Sequence, residues 1–252
     1  EILPVIQSGS AMEYALSTSI KKLVAVDKPI VGFIQGHDEA TLNSMNQLAQ
    51  QLSVLYTLEP INMTDSTDLT KYKTIALIRP QDSIPEMHLN MLDKYLSQGG
   101  NLLISFDRVE ADFQSIMGRS KTTGLETWLN NKGINVADAM ITDASCGSIS
   151  VQQNNGFMRF NTQVRFPYLP IVNNFANHPI TSGLEAIALQ FASPLIFSGD
   201  TTIKYTPLLR AGKKCNAVPM PTRFDIEKQW TDSDFPQSDL AIGGIFSGKF
   251  IG

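Results

Sequence analysis

The first half of the chain alternates between two hydrophobic periods. Short apolar runs at Ile30–Gln35, Val54–Leu58, Thr74–Ile78 and Asn101–Phe106 predict strands, the first a buried parallel strand and Thr74–Ile78, apolar throughout, a strand buried on both faces. Between them, apolar residues recur at helical spacing, first Leu42, Met45, Leu48 and Leu52, then Leu89, Leu92 and Leu96. An earlier helix is predicted from the capping box Ser10-x-x-Glu13 through Met12, Leu16, Ile20 and Leu23. Ser83-x-x-Glu86 reads as a second capping box with Pro85 in the first turn, and Gly99-Gly100 ends that helix. Thr123-x-x-Glu126 opens a short helix with Leu125, Trp128 and Leu129 on its inner side, and Ile134–Ile141 predicts a further strand. This order, with its short crossovers, predicts an α/β fold over residues 1–142, a doubly wound, mostly parallel sheet.

The texture changes after Asp143. Ser148–Gln153 and Phe157–Asn161 flank Asn154-Asn155-Gly156, a hairpin signal. Pro167, Pro170, Pro179, Pro194 and Pro207 interrupt any long helix, Ile187–Phe197 and Tyr205–Leu209 read as strands, and Met220–Pro236 reads as a long loop. Residues 143–252 are therefore expected to be a β-rich extension that completes the same domain.

Composition narrows the function classes. Apolar residues make up 42% and charged residues 17% of 252, an ordinary globular balance. A net charge of −4 with no basic block argues against nucleic acid as a partner. No apolar run reaches the roughly 18 residues of a membrane span. The chain starts at Glu1, and Leu240–Phe250 reads as a strand in progress, so it is expected to be a piece of a longer protein. Cys146 and Cys215 match no zinc or Cys-x-x-Cys spacing, leaving two free thiols or one disulfide open.

In an open α/β sheet, ligands and partners meet the carboxyl ends of the strands. Here those ends carry Gln35, His37, Asp38 and Glu39 after the first strand, Arg79 and Gln81 after the third, and Asp107 and Arg108 after the fourth. These eight residues are the candidate ligand or partner site. A structural reading competes for the first cluster and is the stronger: Asp38 would cap the next helix and His37 would bond a neighbouring loop. His37 with Glu39 is half a metal site, but no second ligand follows at metal spacing, so no metal is expected. Ser105 lacks a Gly-x-Ser-x-Gly frame, and His178 before Pro179 is a turn signature, so no catalytic residues are assigned. Neither phosphate-binding glycine pattern occurs, so no nucleotide cofactor is expected.

Several segments, in order, resemble the gliding-associated ABC transporter auxiliary, or substrate-binding-like, family, a type of uncharacterised ABC transport component. They are Glu13-Tyr14, Ile20–Leu23, Lys28–His37, Leu92–Leu103, Gly124–Leu129 with Lys132-Gly133, Asn177–Ile180, Tyr205–Leu209, and Leu240–Ile242 through Gly248–Phe250. The family typically carries Gly-His-Gly-Glu after the first strand; here the residues are Gly36-His37-Asp38-Glu39. The resemblance implies a flavodoxin-like, class I glutamine-amidotransferase-like fold without the catalytic cysteine. It also implies a non-enzymatic, extracytoplasmic accessory domain at the periplasmic face of the inner membrane. Transmembrane helices outside this sequence would anchor it beside an ABC permease and its ATPase. That setting tilts Cys146 and Cys215 toward a disulfide. Two alternatives stand beside this reading: a degenerate or atypical amidotransferase-like hydrolase, and a carbohydrate-binding module using Trp230, Tyr168 and Phe235.

Overall fold

The run Ile-Val-Gly-Phe-Ile-Gln forms strand β1 (Ile30–Gln35) in a computed structural model that describes residues 28–155 and 158–250, together with Leu16, Ser17, Ser19 and Ile20. Those four early residues are helical, and the rest of the helix expected between Ser10 and Val24 lies outside the described residues. After β1 come α1 (Asn46–Leu52), β2 (Thr57–Asn62), β3 (Thr74–Ile78), α2 (Glu86–Ser97) and β4 (Asn101–Ser105). The four strands make one parallel sheet in the order β2-β1-β3-β4.

β1 and β3 are the inner strands, and Phe33, Ile34, Ile75, Ala76 and Leu77 are all buried. That is why both read as unbroken apolar runs. A Cβ on Gly32 would crowd the Ile61 and Tyr72 side chains, so a larger residue there would have to displace them. α2 lays His88, Leu89, Leu92 and Tyr95 inward. It starts at Glu86, with Pro85 extended at ψ 145° as its N-cap and no side-chain cap bond, so the Ser83–Glu86 box is not made. Gly99, at φ +87°, ends it, and Gly100 N–H bonds Tyr95 O at 3.1 Å.

The chain divides into two compact units. The first ends at Phe106 and takes back Phe250; the second spans Asp107–Lys249. The second opens with β5 (Val109–Asp112), β6 (Met117–Ser120), α3 (Leu125–Asn130), β7 (Ile134–Val136) and β8 (Ala139–Asp143). A long hairpin follows, β9 (Cys146–Asn155) and β10 (Met158–Val172), where the Asn-Asn-Gly signal predicted one. Then come β11 (Asn174–Phe175), β12 (Ile187–Ala188), β13 (Leu195–Phe197), β14 (Lys204–Arg210), β15 (Cys215–Pro219), β16 (Thr222–Arg223) and β17 (Ala241–Ser247). Each described pairing in this unit is antiparallel.

The doubly wound, flavodoxin-like or class I glutamine-amidotransferase-like expectation is therefore corrected. Among the described residues strand far exceeds helix, and only one sheet is parallel, the others being small and antiparallel. The reason lies in the connections. A parallel strand needs a crossover of about a dozen residues or more, whereas β4 and β5 are separated by residues 106–108. α3 has six residues, and the run expected as one strand from Ile134 to Ile141 is split between β7 and β8. Those two strands pair antiparallel with β13 and β15, far along the chain.

Candidate functional site

β1 ends where Gly36 turns at φ +127°, and the next residues are built into the protein by their own polar groups. Gln35 Nε2 donates to Ile34 O at 2.7 Å and Ala40 O at 3.2 Å, closing the loop on itself. The loop is then laced to its neighbours. His37 O accepts from Gln81 N–H at 2.9 Å and Asp82 N–H at 3.0 Å, Ala40 N–H donates to Ile78 O at 3.0 Å, and Met63 N–H donates to Gln35 O at 2.9 Å. Arg79 N–H bonds Ser105 O at the end of β4. The carboxyl edge of the parallel sheet is thus a set of loops tied by backbone bonds.

Inside this edge lies a chain of ionisable side chains. Glu39 accepts from His37 N–H at 2.8 Å with one oxygen and meets His37 Nδ1 at 2.7 Å with the other. His37 Nε2 lies 2.8 Å from His88 Nδ1 on α2, the rings meeting edge to face at 5.1 Å. His88 Nε2 faces Asp65 Oδ1 at 3.5 Å. His37, Glu39 and His88 are all buried, while the Asp65 side chain is 76% exposed. Burial pushes the Glu39 carboxyl up, but the hydrogen bonds and charge of His37 outweigh it and hold the group below the usual glutamate value.

Of the eight candidate residues, the structure brings Gln35, His37, Asp38, Glu39, Arg79 and Gln81 together at this edge. His37 and Glu39 face inward, whereas Asp38 and Arg79 are exposed. Both of these exposed residues are left-handed, Asp38 at φ +55° and Arg79 at φ +54°. Asp38 stands where the resemblance carries glycine, and aspartate is among the few residues that tolerate this conformation. Asp107 and Arg108 belong to the second unit, where Arg108 binds Lys121 O and lies 3.6 Å from Asp138 Oδ1. Sequence reasoning missed His88. Its signal was present, since His88, Leu92 and Tyr95 recur at i, i+4 and i+7 and the histidine is the odd member of an inward stripe.

Cys146 and Cys215 are free thiols. Cys215 is held in β15 opposite Asp143, fully buried in a cluster with Ile141 and Ala211, and burial raises its thiol pKa. Cys146 opens β9, opposite Pro170. The aromatic trio of the sugar-binding alternative does assemble. Tyr168 and Phe235 are buried, Phe235 stacks on Trp230 at 5.6 Å, and Lys228 Nζ sits 4.4 Å from the centre of the indole. Trp230 is half-buried, and with Tyr168 it lines a cleft of about 400 Å³, so the cluster is packed on one side and open on the other. His178 Nδ1 accepts from Ile180 N–H at 3.2 Å, a local turn bond. Among the described residues, no group of three or more His, Cys, Asp or Glu could hold a metal ion, and no helix is long and apolar enough to cross a membrane.

Comparison with known proteins places this geometry in a family. An uncharacterised protein of Borreliella burgdorferi is 22% identical over 244 residues, which is 90% of this chain and 45% of that protein. The chain thus spans about half the length of this curated relative. Among solved structures, the mmIFT52 N-terminal domain superposes with a TM-score of 0.52 at 16% identity, over 76% of this chain and 77% of that one. At that identity the likeness is one of fold. The profile of the ABC-type uncharacterized transport system family matches residues 28–251, so the chain belongs to that family.

Proposed function

We propose that this chain is a non-enzymatic, extracytoplasmic accessory domain of an ABC transport system, working in export or gliding motility. Segments outside this sequence anchor it to the membrane, at the periplasmic face of the inner membrane. It offers the carboxyl edge of its parallel sheet, around Asp38 and Arg79, to the permease that works with the ATPase. The reading rests on family membership and on one observation at that edge. Two exposed non-glycine residues on adjacent loops keep left-handed backbones, locked by the bonds of His37 O to Gln81 and Asp82 and of Arg79 N–H to Ser105 O. Local strain kept in place by surrounding bonds is characteristic of binding surfaces. The non-enzymatic part is supported by the His37 ring, whose two nitrogens lie against Glu39 and His88 rather than a hydroxyl or thiol.

The test is affinity purification of the full-length protein from its native membranes, with quantitative mass spectrometry of the permease and ATPase subunits. Wild-type protein is expected to bring both. A variant carrying Asp38→Asn and Arg79→Glu is expected to recover them about tenfold less, the loss that follows when one interfacial charge pair is broken. A wild-type protein that stays in the soluble fraction without transporter subunits would overturn the accessory reading. Undiminished recovery by the variant would move the docking surface elsewhere.

A further inference from the structure

The chain Glu39–His37–His88–Asp65 has a consequence that follows from counting its protons. The ionised carboxylate of Glu39 can only accept, so His37 Nδ1 carries a proton toward it. With both rings neutral, His37 Nε2 is then an acceptor and His88 Nδ1 must donate to it across 2.8 Å. That leaves His88 Nε2 as a bare lone pair facing the Asp65 carboxylate, two acceptors 3.5 Å apart with no hydrogen between them. Add one proton to the network and the outcome is forced. The His37–His88 bond holds one hydrogen, whichever ring owns it, so the additional hydrogen resides on His88 Nε2. There it donates to Asp65 as a charge-assisted bond.

We propose that His88 and Asp65 form a proton-operated latch that fastens the connector between β2 and β3 to α2. The connector begins after Asn62, and its residues Asp65–Thr70 form one wall of a cleft of about 350 Å³ whose other wall includes Met91, Lys94, Tyr95 and Gln98. With the latch open, Asp65 is a solvated carboxylate. With it closed, the connector is pinned at a point whose position is set by buried groups two contacts deep. Charged and titratable groups meet this network from several elements, and Asp68 and Lys94 line the same cleft as Asp65. From the loop after β1 come His37 and, behind it, Glu39; from the connector comes Asp65; on its own helix the nearest along the chain is Glu86. Two carboxylates therefore bracket the histidine pair, and the excess proton is held between them. The latch belongs to the isolated fold and does not depend on the docking reading.

The experiment uses the chain itself. In nitrogen-15 spectra at about pH 8, where histidines are mostly neutral, both His37 and His88 are expected in the Nδ1–H form, the less common tautomer in free histidine. Amide hydrogen exchange is then followed from about pH 8 to about pH 5, with rates divided by the intrinsic rate at each pH. Protection in residues 64–70 is expected to rise about fivefold on acidification, as for one partly solvated charge-assisted pair. Asp65→Ala, at an exposed side chain, is expected to fold normally and to lose that rise. A flat wild-type profile, a rise that survives in the alanine variant, or a neutral His88 with its hydrogen on Nε2 would each overturn the latch.

Discussion

His88 Nδ1 stands 2.8 Å from His37 Nε2, joining α2 to the loop after β1 across 51 residues of sequence. Because Glu39 lies behind His37 with its side chain fully out of solvent, the contact anchors more than two rings. It keeps a buried carboxylate partnered.

Removing that partner is expected to be costly. His37→Ala leaves Glu39 with the backbone N–H of residue 37 and loses both imidazole bonds. Stranding one member of a buried pair costs about 3 kcal/mol, so urea unfolding should show a loss of that size. His88→Ala deletes the ring-to-ring bond but leaves Glu39 its His37 partner, so it is expected to cost about 1 kcal/mol, aside from lost packing. Equal effects of the two substitutions, or a loss below about 1 kcal/mol for His37→Ala, would mean that Glu39 is not ionised in the fold.

Asp38 at φ +55° is tolerated, not ideal. An L-residue in this conformation carries about 1 kcal/mol of steric cost that glycine escapes. The side chain is exposed, so nothing packed is lost on shortening it. Asp38→Gly is expected to raise stability by about 0.5–1 kcal/mol, and Asp38→Val to lower it by more than 1 kcal/mol. Urea midpoints in the reverse order would contradict the left-handed geometry of this loop.

The two cysteines should react as two different thiols. Cys215 is buried and its thiolate is disfavoured; Cys146 is half-buried at the start of β9. An aromatic disulfide reagent is expected to label Cys146 in the folded protein and Cys215 only after unfolding. Intact mass without reductant should show both thiols reduced in protein handled anaerobically. A mass lower by two hydrogens, with no labelling even in denaturant, would instead establish the disulfide.

What the sequence made legible follows from where each partner lies. β1 and β3 are inner strands of a parallel sheet, so burial on both faces is written locally as Val31–Ile34 and Ile75–Leu77. β2 was expected at Val54–Leu58 and lies at Thr57–Asn62; it is an edge strand with exposed Thr57, Pro60 and Asn62, so its outer positions carry no apolar signal. β7 and β8 are short antiparallel strands whose partners lie about 60 and 75 residues downstream, a relation that no local pattern encodes. The site divides the same way. His37 and Glu39 announced themselves by clustering at a strand end, whereas His88 lay within a stripe read as apolar, and only the fold brings it to His37.

Asp234 offers a test of the second unit that is independent of the histidines. It closes a capping box with Thr231 at the start of a short 3-10 helix, accepting from Thr231 N–H at 2.8 Å and from its hydroxyl at 3.0 Å. Its other oxygen accepts from Lys228 Nζ at 2.6 Å, and that ammonium also sits over Trp230. The Lys228 bond first, then the Thr231 backbone bond, lower its pKa from 3.8 to about 2. A value depressed on folding contributes stability that is present above the unfolded value and is lost as pH falls through the folded one. The loop from Lys228 to Asp234 should therefore hold its structure at pH 4 and release it as pH falls from 3.8 toward about 2. Carboxyl carbon shifts are expected to titrate with a midpoint near 2 for Asp234. Lys228→Ala should move that midpoint up toward 3.8 and take the ammonium off the face of the Trp230 indole, changing its fluorescence. A midpoint indifferent to Lys228 would show that the ammonium's place is over the ring and not on the carboxylate.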